Sequence, residues 1–365
     1  TCYASMKYLT DSLIGLRYLE QGDTVKIIPA GDPTLLHPDF IQQPVLSFLS
    51  HFDSTKVIQV ADNNFQDDAW GNGWTWNDYT EDYMVERSSL PIYGNVISFD
   101  GTANKWNSFP SIKGQVIEDS SANSNSFLTG VERDISTNTF KLHFNKTSAN
   151  KINVPFYTGK GETNVQLLQA VIKAKIVRAK DPAPISLQKE YHIIYSQPTD
   201  SLLKIMMHRS DNFYSEQSLL MVSNEMLGIM NDEKIIDTLL KMDFKDMPQQ
   251  PRWVDGSGLS RYNLFTPEDF VFVLNKMRNE LLWNRITTIF PTGGSGTLGK
   301  TYKNLEGKIF AKTGTLSNNA ALSGYVLTDK GKTLIFSIMV GNHMSSSAII
   351  REGIAKFLET IREKD

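Results

Sequence analysis

The sequence predicts an α+β protein in which a strand-rich block interrupts a domain of helices and antiparallel strands. Three observations carry this expectation. Apolar residues recur at helical spacing towards both ends of the chain. Residues 95–189 instead show short alternating segments separated by polar turns. Three more alternating segments follow one another after Glu306.

Residues 3–19 place Met6, Leu9, Leu13, Leu16 and Leu19 three or four positions apart and read as one helix. "DTVKIIPAGDP" (23–33) reads as a short strand closing in a Gly-Asp-Pro turn. "QPVLSFLSHF" suits a second helix. From Asp62, "DNNFQDDAWGNGWTWNDYTEDY" reads as a long irregular loop. Its Trp70, Trp74 and Trp76 could stack on a ligand, but pinning the loop to a domain face is the expected role of such large hydrophobes.

Within the strand-rich block, "NVISFD", "QVIED", "TFKLHF" and "KIVRAK" alternate, and residues 163–172 suit a helix. "AKDPAPISLQ" reads as a Pro-rich linker. "SLLKIMMHRSDNFYSEQSLLMVSNEML" is helical with a break near Arg209 and Ser210. "TPEDFVFVLNKMRN" is a helix with Thr266 as N-cap and Glu268 just inside. "GGSGTLG" (293–299) reads as a flexible loop. "GKIFAKTGT", "AALSGYVLT" and "KTLIFSIMVGN" are strands, the last two joined at Asp329-Lys330-Gly331. Residues 345–362 form a final amphipathic helix with Ile350, Ile354, Phe357 and Ile361 on one stripe.

The chain's 365 residues allow two domains, or one with an insertion. With 40% apolar residues, 21% charged residues and a net charge of -3, nothing favours nucleic acid or an anionic membrane surface. No apolar run approaches the roughly 18 residues of a transmembrane segment. A single cysteine, Cys2, excludes an internal disulfide. His37, His51, His143, His192, His208 and His343 lack metal-ligand spacing, so no metal is expected. G-x-S-x-G is absent, and "GSGTLGKT" (294–301), a literal match to the dinucleotide and P-loop patterns, stands in a glycine-rich loop rather than between a strand and a helix, so no cofactor is expected either. The chain starts at Thr1 without Met or a signal sequence and reads as processed or trimmed.

Two tripeptides carry chemistry. Ser210-Asp211-Asn212 lies at the break between helices, and Lys312-Thr313-Gly314 lies on a strand. S-x-x-K, S-D-N and K-T-G together mark penicillin-binding proteins and class A β-lactamases. Bland alternatives are a helix N-cap at Ser210 and Asn212, and an exposed edge lysine at Lys312.

With these tripeptides, "GDPTL" (31–35), "MMHRSDNFYSEQ" (206–217), "DGSGLSRYN" (255–263), "TPEDF" (266–270) and "AKTGTLSNNAALSGY" (311–325) resemble the D-alanyl-D-alanine carboxypeptidase/endopeptidase family, the class C low-molecular-mass penicillin-binding proteins. The resemblance implies a serine penicillin-binding (β-lactamase/transpeptidase-like) domain with a strand-rich inserted domain. The expected segments are 1–45 and 195–365 for that domain and 46–194 for the insertion. It also implies a serine peptidase acting on peptidoglycan stem peptides through an acyl-enzyme, binding β-lactam antibiotics, in the bacterial cell envelope or periplasm. A catalytically inactive peptide-binding protein and a β-lactamase or esterase on the same fold are the alternatives.

The resemblance also implies roles. Ser210 would relay a proton to the leaving amine, and the Asn212 amide would hold the substrate backbone. Lys312 would attract the terminal carboxylate and set neighbouring pKa values. Thr313 and Thr315 would bond that carboxylate, with the Thr315 N–H facing the oxyanion. Gly314 would let substrate lie along the strand. "DGSGLSR" reads as a structural turn, with neither Ser257 nor Ser260 as nucleophile.

The nucleophile itself is the misfit. Literal S-x-x-K matches at Ser148–Lys151, Ser186–Lys189 and Ser201–Lys204 are about as many as chance supplies. Ser201 opens a helix but lies only nine residues before Ser210. In "ASMK", Ser5 and Lys7 would sit about 200° apart on a helix. Either Ala4 replaces the nucleophile and the enzyme is dead, or residues 1–24 begin just after it and the true S-x-x-K lies upstream of Thr1. The second arrangement fits better if residues 3–19 are one helix entering the next strand. The first helix should then aim its N-terminal end at Ser210 and Lys312.

Overall fold

A computed structural model describes residues 1–102, 105–112, 116–119, 130–143, 151–179 and 191–364. Among the described residues the helices are α1 (Cys2–Tyr8), α2 (Pro44–Leu49), α3 (Glu162–Gln169), α4 (Thr199–Arg209), α5 (Asn212–Leu227), α6 (Asp232–Lys241), α7 (Pro267–Glu280), α8 (Trp283–Ile289) and α9 (Ser347–Lys364). The strands are β1 (Ser12–Gln21), β2 (Thr24–Pro29), β3 (Val57–Val60), β4 (Val96–Thr102), β5 (Lys105–Phe109), β6 (Val116–Asp119) and β7 (Val131–Arg133). They continue with β8 (Phe140–His143), β9 (Lys151–Pro155), β10 (Lys175–Arg178), β11 (His192–Pro198), β12 (Ile309–Leu316), β13 (Asn319–Leu327) and β14 (Thr333–Gly341). This α+β mixture matches the expected class. The Pro-rich linker expected at 179–188 falls, beyond Ala179, outside the described residues.

Two compact units form. One comprises Thr1–Asp11, Pro198–Ser215 and Glu233–Asp365, the other Ser12–Gln197 and Glu216–Asp232. The division departs from the expected segments 1–45, 46–194 and 195–365 in two places. Residues 12–45 go with the second unit because β1 pairs antiparallel with β2, and β2 pairs parallel with β3. These strands sit inside a five-stranded sheet ordered β10-β3-β2-β1-β11. Most of α5 joins that unit too, through buried polar bonds: Gln217 Nε2 donates to the Gly31 carbonyl at 2.7 Å, and Asn64 Nδ2 to Asn224 Oδ1 at 2.9 Å.

The long helix expected over 3–19 is a short helix followed by a strand. Leu13, Ile14, Leu16 and Arg17 of β1 are all buried. A strand flanked by neighbours and covered on both faces loses its two-residue alternation, and its leucines can then mimic helical spacing. Trp70 faces Tyr79 with ring centroids 6.5 Å apart, Trp74 lies under the Arg87 guanidinium, and Trp76 is exposed.

In the first unit, the Tyr3 hydroxyl of α1 lies within hydrogen-bond distance of the Asp243 and Glu280 carboxylates, with one proton to give to either, and Lys7 pairs with Asp243. Arg285 bonds the Met6 carbonyl at 2.8 Å and the Asp200 carboxylate, tying α1 to α8 and α4. Thr266 caps α7 as expected, with Asp269 completing the reciprocal pair. The strands β12, β13 and β14 form an antiparallel sheet in that order. The α9 helix buries Ile354, Ala355 and Leu358 in a cluster with Ala311 and Leu322 of this sheet. Phe357, expected on the apolar stripe, is instead exposed, because Leu358 takes the inward position one residue on.

Candidate active site

The break after α4 is built by two adjacent caps. Ser210 terminates α4 in the left-handed region, at φ 58° and ψ 48°. That conformation costs a serine roughly 1 kcal/mol relative to the right-handed one. Asp211 then starts α5, its Oδ1 accepting from the Tyr214 backbone N–H at 2.9 Å. Arg209 fixes the same carboxylate at 2.9 Å. The capping role therefore falls to Asp211, and the Ser210 hydroxyl is turned to another partner.

That partner is Lys312. Its Nζ donates to Ser210 Oγ at 2.6 Å and to the Thr313 carbonyl at 2.6 Å. Lys312 is half-buried at register with Ser323 of β13. Loss of water around the ammonium pulls its pKa down to about 8. Cys2, in the first turn of α1, interacts electrostatically with Lys312, and burial pushes the Cys2 thiol up to about 11. The first turn of α1 thus lies near Lys312.

A cleft of about 280 Å³ is lined by Ser210, Thr297, Thr313, Thr315 and Arg351. Gly314 and Thr315 are exposed on β12, an edge of its sheet. Thr315 Oγ1 accepts from Arg351 Nη2 of α9 at 2.9 Å. Asn212 opens α5, half-buried, two residues from Ser210. Ser201 is exposed on α4, and Lys204 lines a separate, more open cleft with His208 and Arg209.

Thr297 and Arg351 were not singled out from the sequence. Thr297 belongs to the glycine-rich 293–299 stretch, which is packed rather than loose: Leu298 is fully buried, and a Cβ at Gly296 would meet the His208 carbonyl at 2.5 Å. "DGSGLSR" is the expected structural turn. Asp255 is buried and accepts from the backbone N–H groups of Gly258 at 2.7 Å and Ser260 at 2.6 Å.

The two glycines of this sheet differ. A Cβ at Gly324 would strike the Phe310 carbonyl at 2.2 Å, whereas one at Gly314 would reach only Ala321 Cβ at 3.5 Å. Gly324→Ala is expected to lower stability by about 1–3 kcal/mol in thermal unfolding, from overpacking against backbone. Gly314→Ala is expected to keep the wild-type melting temperature. An equal loss in both variants would contradict this distinction.

The fold is that of the penicillin-binding proteins. Penicillin binding protein 4 of Haemophilus influenzae superposes with a TM-score of 0.77 at 18% identity, over 99% of this chain and 89% of that one. A predatory peptidoglycan endopeptidase of Bdellovibrio bacteriovorus gives a TM-score of 0.52 at 13% identity, over 99% and 83%. The chain belongs to the D-Ala-D-Ala carboxypeptidase 3 (S13) family, whose profile matches residues 15–361. It is 36% identical over 110 residues to a D-alanyl-D-alanine carboxypeptidase of an Actinomadura species, 28% of this chain and 20% of that protein. It is 32% identical over 99 residues to a penicillin-sensitive carboxypeptidase A of Dictyostelium discoideum, 24% and 19% of the two lengths. The matched stretches thus span about a fifth of these relatives.

Proposed function

We propose that the protein is a serine D-Ala-D-Ala carboxypeptidase or endopeptidase that cleaves peptidoglycan stem peptides through an acyl-enzyme and is acylated by β-lactams. The observation that carries this reading is the 2.6 Å bond between Lys312 and Ser210, which joins the two tripeptides in one cleft. Membership of the carboxypeptidase family supports it.

Each group has a role in this reading. Lys312 holds positive charge beside Ser210, and the Ser210 hydroxyl passes a proton to the departing amine. Asn212 holds the substrate backbone. Thr313 and Thr315 bind the terminal carboxylate, and the Thr315 N–H stabilises the oxyanion together with the nucleophile's own N–H. The exposed edge at Gly314 accepts substrate as an added strand. No resident metal or cofactor takes part. Among the described residues no helix is long and apolar enough to cross a membrane. The bacterial envelope, in the periplasm, is where such a substrate is met.

Mass spectrometry of the full-length protein with benzylpenicillin tests this. A stable penicilloyl adduct supports the peptidase. Rapid turnover points to a β-lactamase, and no adduct points to a peptide-binding protein. Peptide mapping of the adduct identifies the acylated serine, which is expected to be none of Ser148, Ser186 and Ser201. An adduct on Ser201 would overturn that expectation.

A further inference from the structure

We propose that Arg351 of α9 is a specificity-determining residue, which reads a free carboxylate at the end of the leaving group. The inference rests on the peptidase reading above and adds to it a residue outside every motif in the chain. Arg351 lies on the last helix, next to Ile350 on the inward stripe, and its side chain reaches across to β12.

Three observations carry the proposal. The guanidinium lines the same small cleft as Ser210, Thr313 and Thr315. Among the described residues no carboxylate lies within ion-pair distance of it. One of its N–H groups is spent on Thr315 Oγ1 at 2.9 Å. A guanidinium has five N–H donors in a rigid fork, so donors remain for an anion in the cleft.

The bond to Thr315 has a second consequence. A threonine hydroxyl carries one proton and two lone pairs. By donating to the oxygen, Arg351 fills an acceptor position and leaves the Thr315 proton to be donated elsewhere. The cleft then presents a threonine O–H and a guanidinium side by side, a match for two carboxylate oxygens. A neutral amide in that place would offer one oxygen and bring two N–H groups against these donors. The cleft volume of about 280 Å³ suits a single terminal residue.

The alternative is that Arg351 only pins α9 to β12. Such a role would affect all substrates alike, so the test compares two. Steady-state kinetics of the full-length protein are measured on an N-acylated D-alanyl-D-alanine and on its C-terminal amide. Wild type should prefer the acid. Arg351→Gln should lose about 10- to 100-fold in kcat/KM on the acid, mainly through KM, and stay within about twofold on the amide. Arg351→Lys should lose less, because charge survives without the fork. Equal losses on both substrates, or none on the acid, would overturn the proposal. If Arg351→Gln does not fold, Arg351→Lys decides: a reduced acid-to-amide ratio at an unchanged melting temperature supports it, and an unchanged ratio overturns it. No turnover of either substrate by wild type, with no penicilloyl adduct, would overturn the peptidase reading and this inference with it. Adduct formation together with substrate-independent losses would overturn this inference alone.

Discussion

Lys312→Ala is expected to slow β-lactam acylation of the full-length protein more than a hundredfold while leaving it folded. Removing a charge aimed at the reacting groups typically costs about 3 kcal/mol of transition-state stabilisation. Folding should survive because the ammonium is desolvated and bonded only to a hydroxyl and a carbonyl, with no carboxylate among these partners. Its pKa of about 8 lies below the ordinary 10.5, so between those values the unfolded chain holds the proton more tightly than the folded one. Wild-type stability therefore gains from this group as pH rises from 8 towards 10.5, and protonated Lys312 opposes folding below that window. The alanine variant lacks this penalty and should be at least as stable at pH 7. In wild type the acylation rate should fall as pH rises through about 8, where the cation is lost. Lys312→Arg should move that limb upward, because a guanidinium stays protonated. An undiminished rate in Lys312→Ala would remove the residue from the site.

What could be read from the sequence follows from which interactions are local. The break between α4 and α5 was visible because helical spacing is interrupted there, but the cap weighed at Ser210 and Asn212 is supplied by Asp211. Lys312 was visible because a charge inside an alternating strand needs a reason. Residues 3–19 misled because β1 runs between β2 and β11 inside its sheet and is buried at consecutive positions, so its leucines show no two-residue alternation. Arg351 was hidden for the opposite reason. On an amphipathic helix any arginine off the apolar stripe looks solvated, and only its reach to Thr315 makes it part of a site. Thr297 was hidden because glycine signals a turn without saying how tightly that turn packs. The loop after Asp62 is the fullest case. Its composition announced irregular backbone, and its order comes from a residue outside it.

That residue is Arg87, and its removal should unfold the second unit most readily of any change in it. The Arg87 side chain is 1% exposed and bonds Asp232 Oδ2 at 2.6 Å, Asp67 Oδ1 at 3.0 Å and Glu216 Oε2 at 3.3 Å. The same guanidinium donates to the carbonyls of Asp68 at 3.0 Å and Trp70 at 3.3 Å. One cation thus gathers three carboxylates and the backbone of the irregular loop. Arg87→Met removes the cation and leaves the carboxylates buried without compensation, an expected loss of about 3–5 kcal/mol at pH 7. Arg17, which pairs with a single, more exposed Glu225 at 2.7 Å, should matter less. The pH dependence separates charge from packing. Even with Arg87 present, burial holds the Asp67 pKa at about 6, above its ordinary value. A carboxyl raised in this way binds its proton more tightly folded than unfolded, so its ionisation opposes folding as pH rises from 4 to 6. Without Arg87 the neighbouring carboxyls should be raised further. The variant should therefore regain stability as pH falls from 7 to 5, while a purely steric defect would not respond. Urea unfolding followed by tryptophan fluorescence at both pH values reads this out, since Trp70 and Trp74 lie in the affected loop. A loss under about 1 kcal/mol, or one that is the same at both pH values, would mean that packing and not the ion network holds the loop.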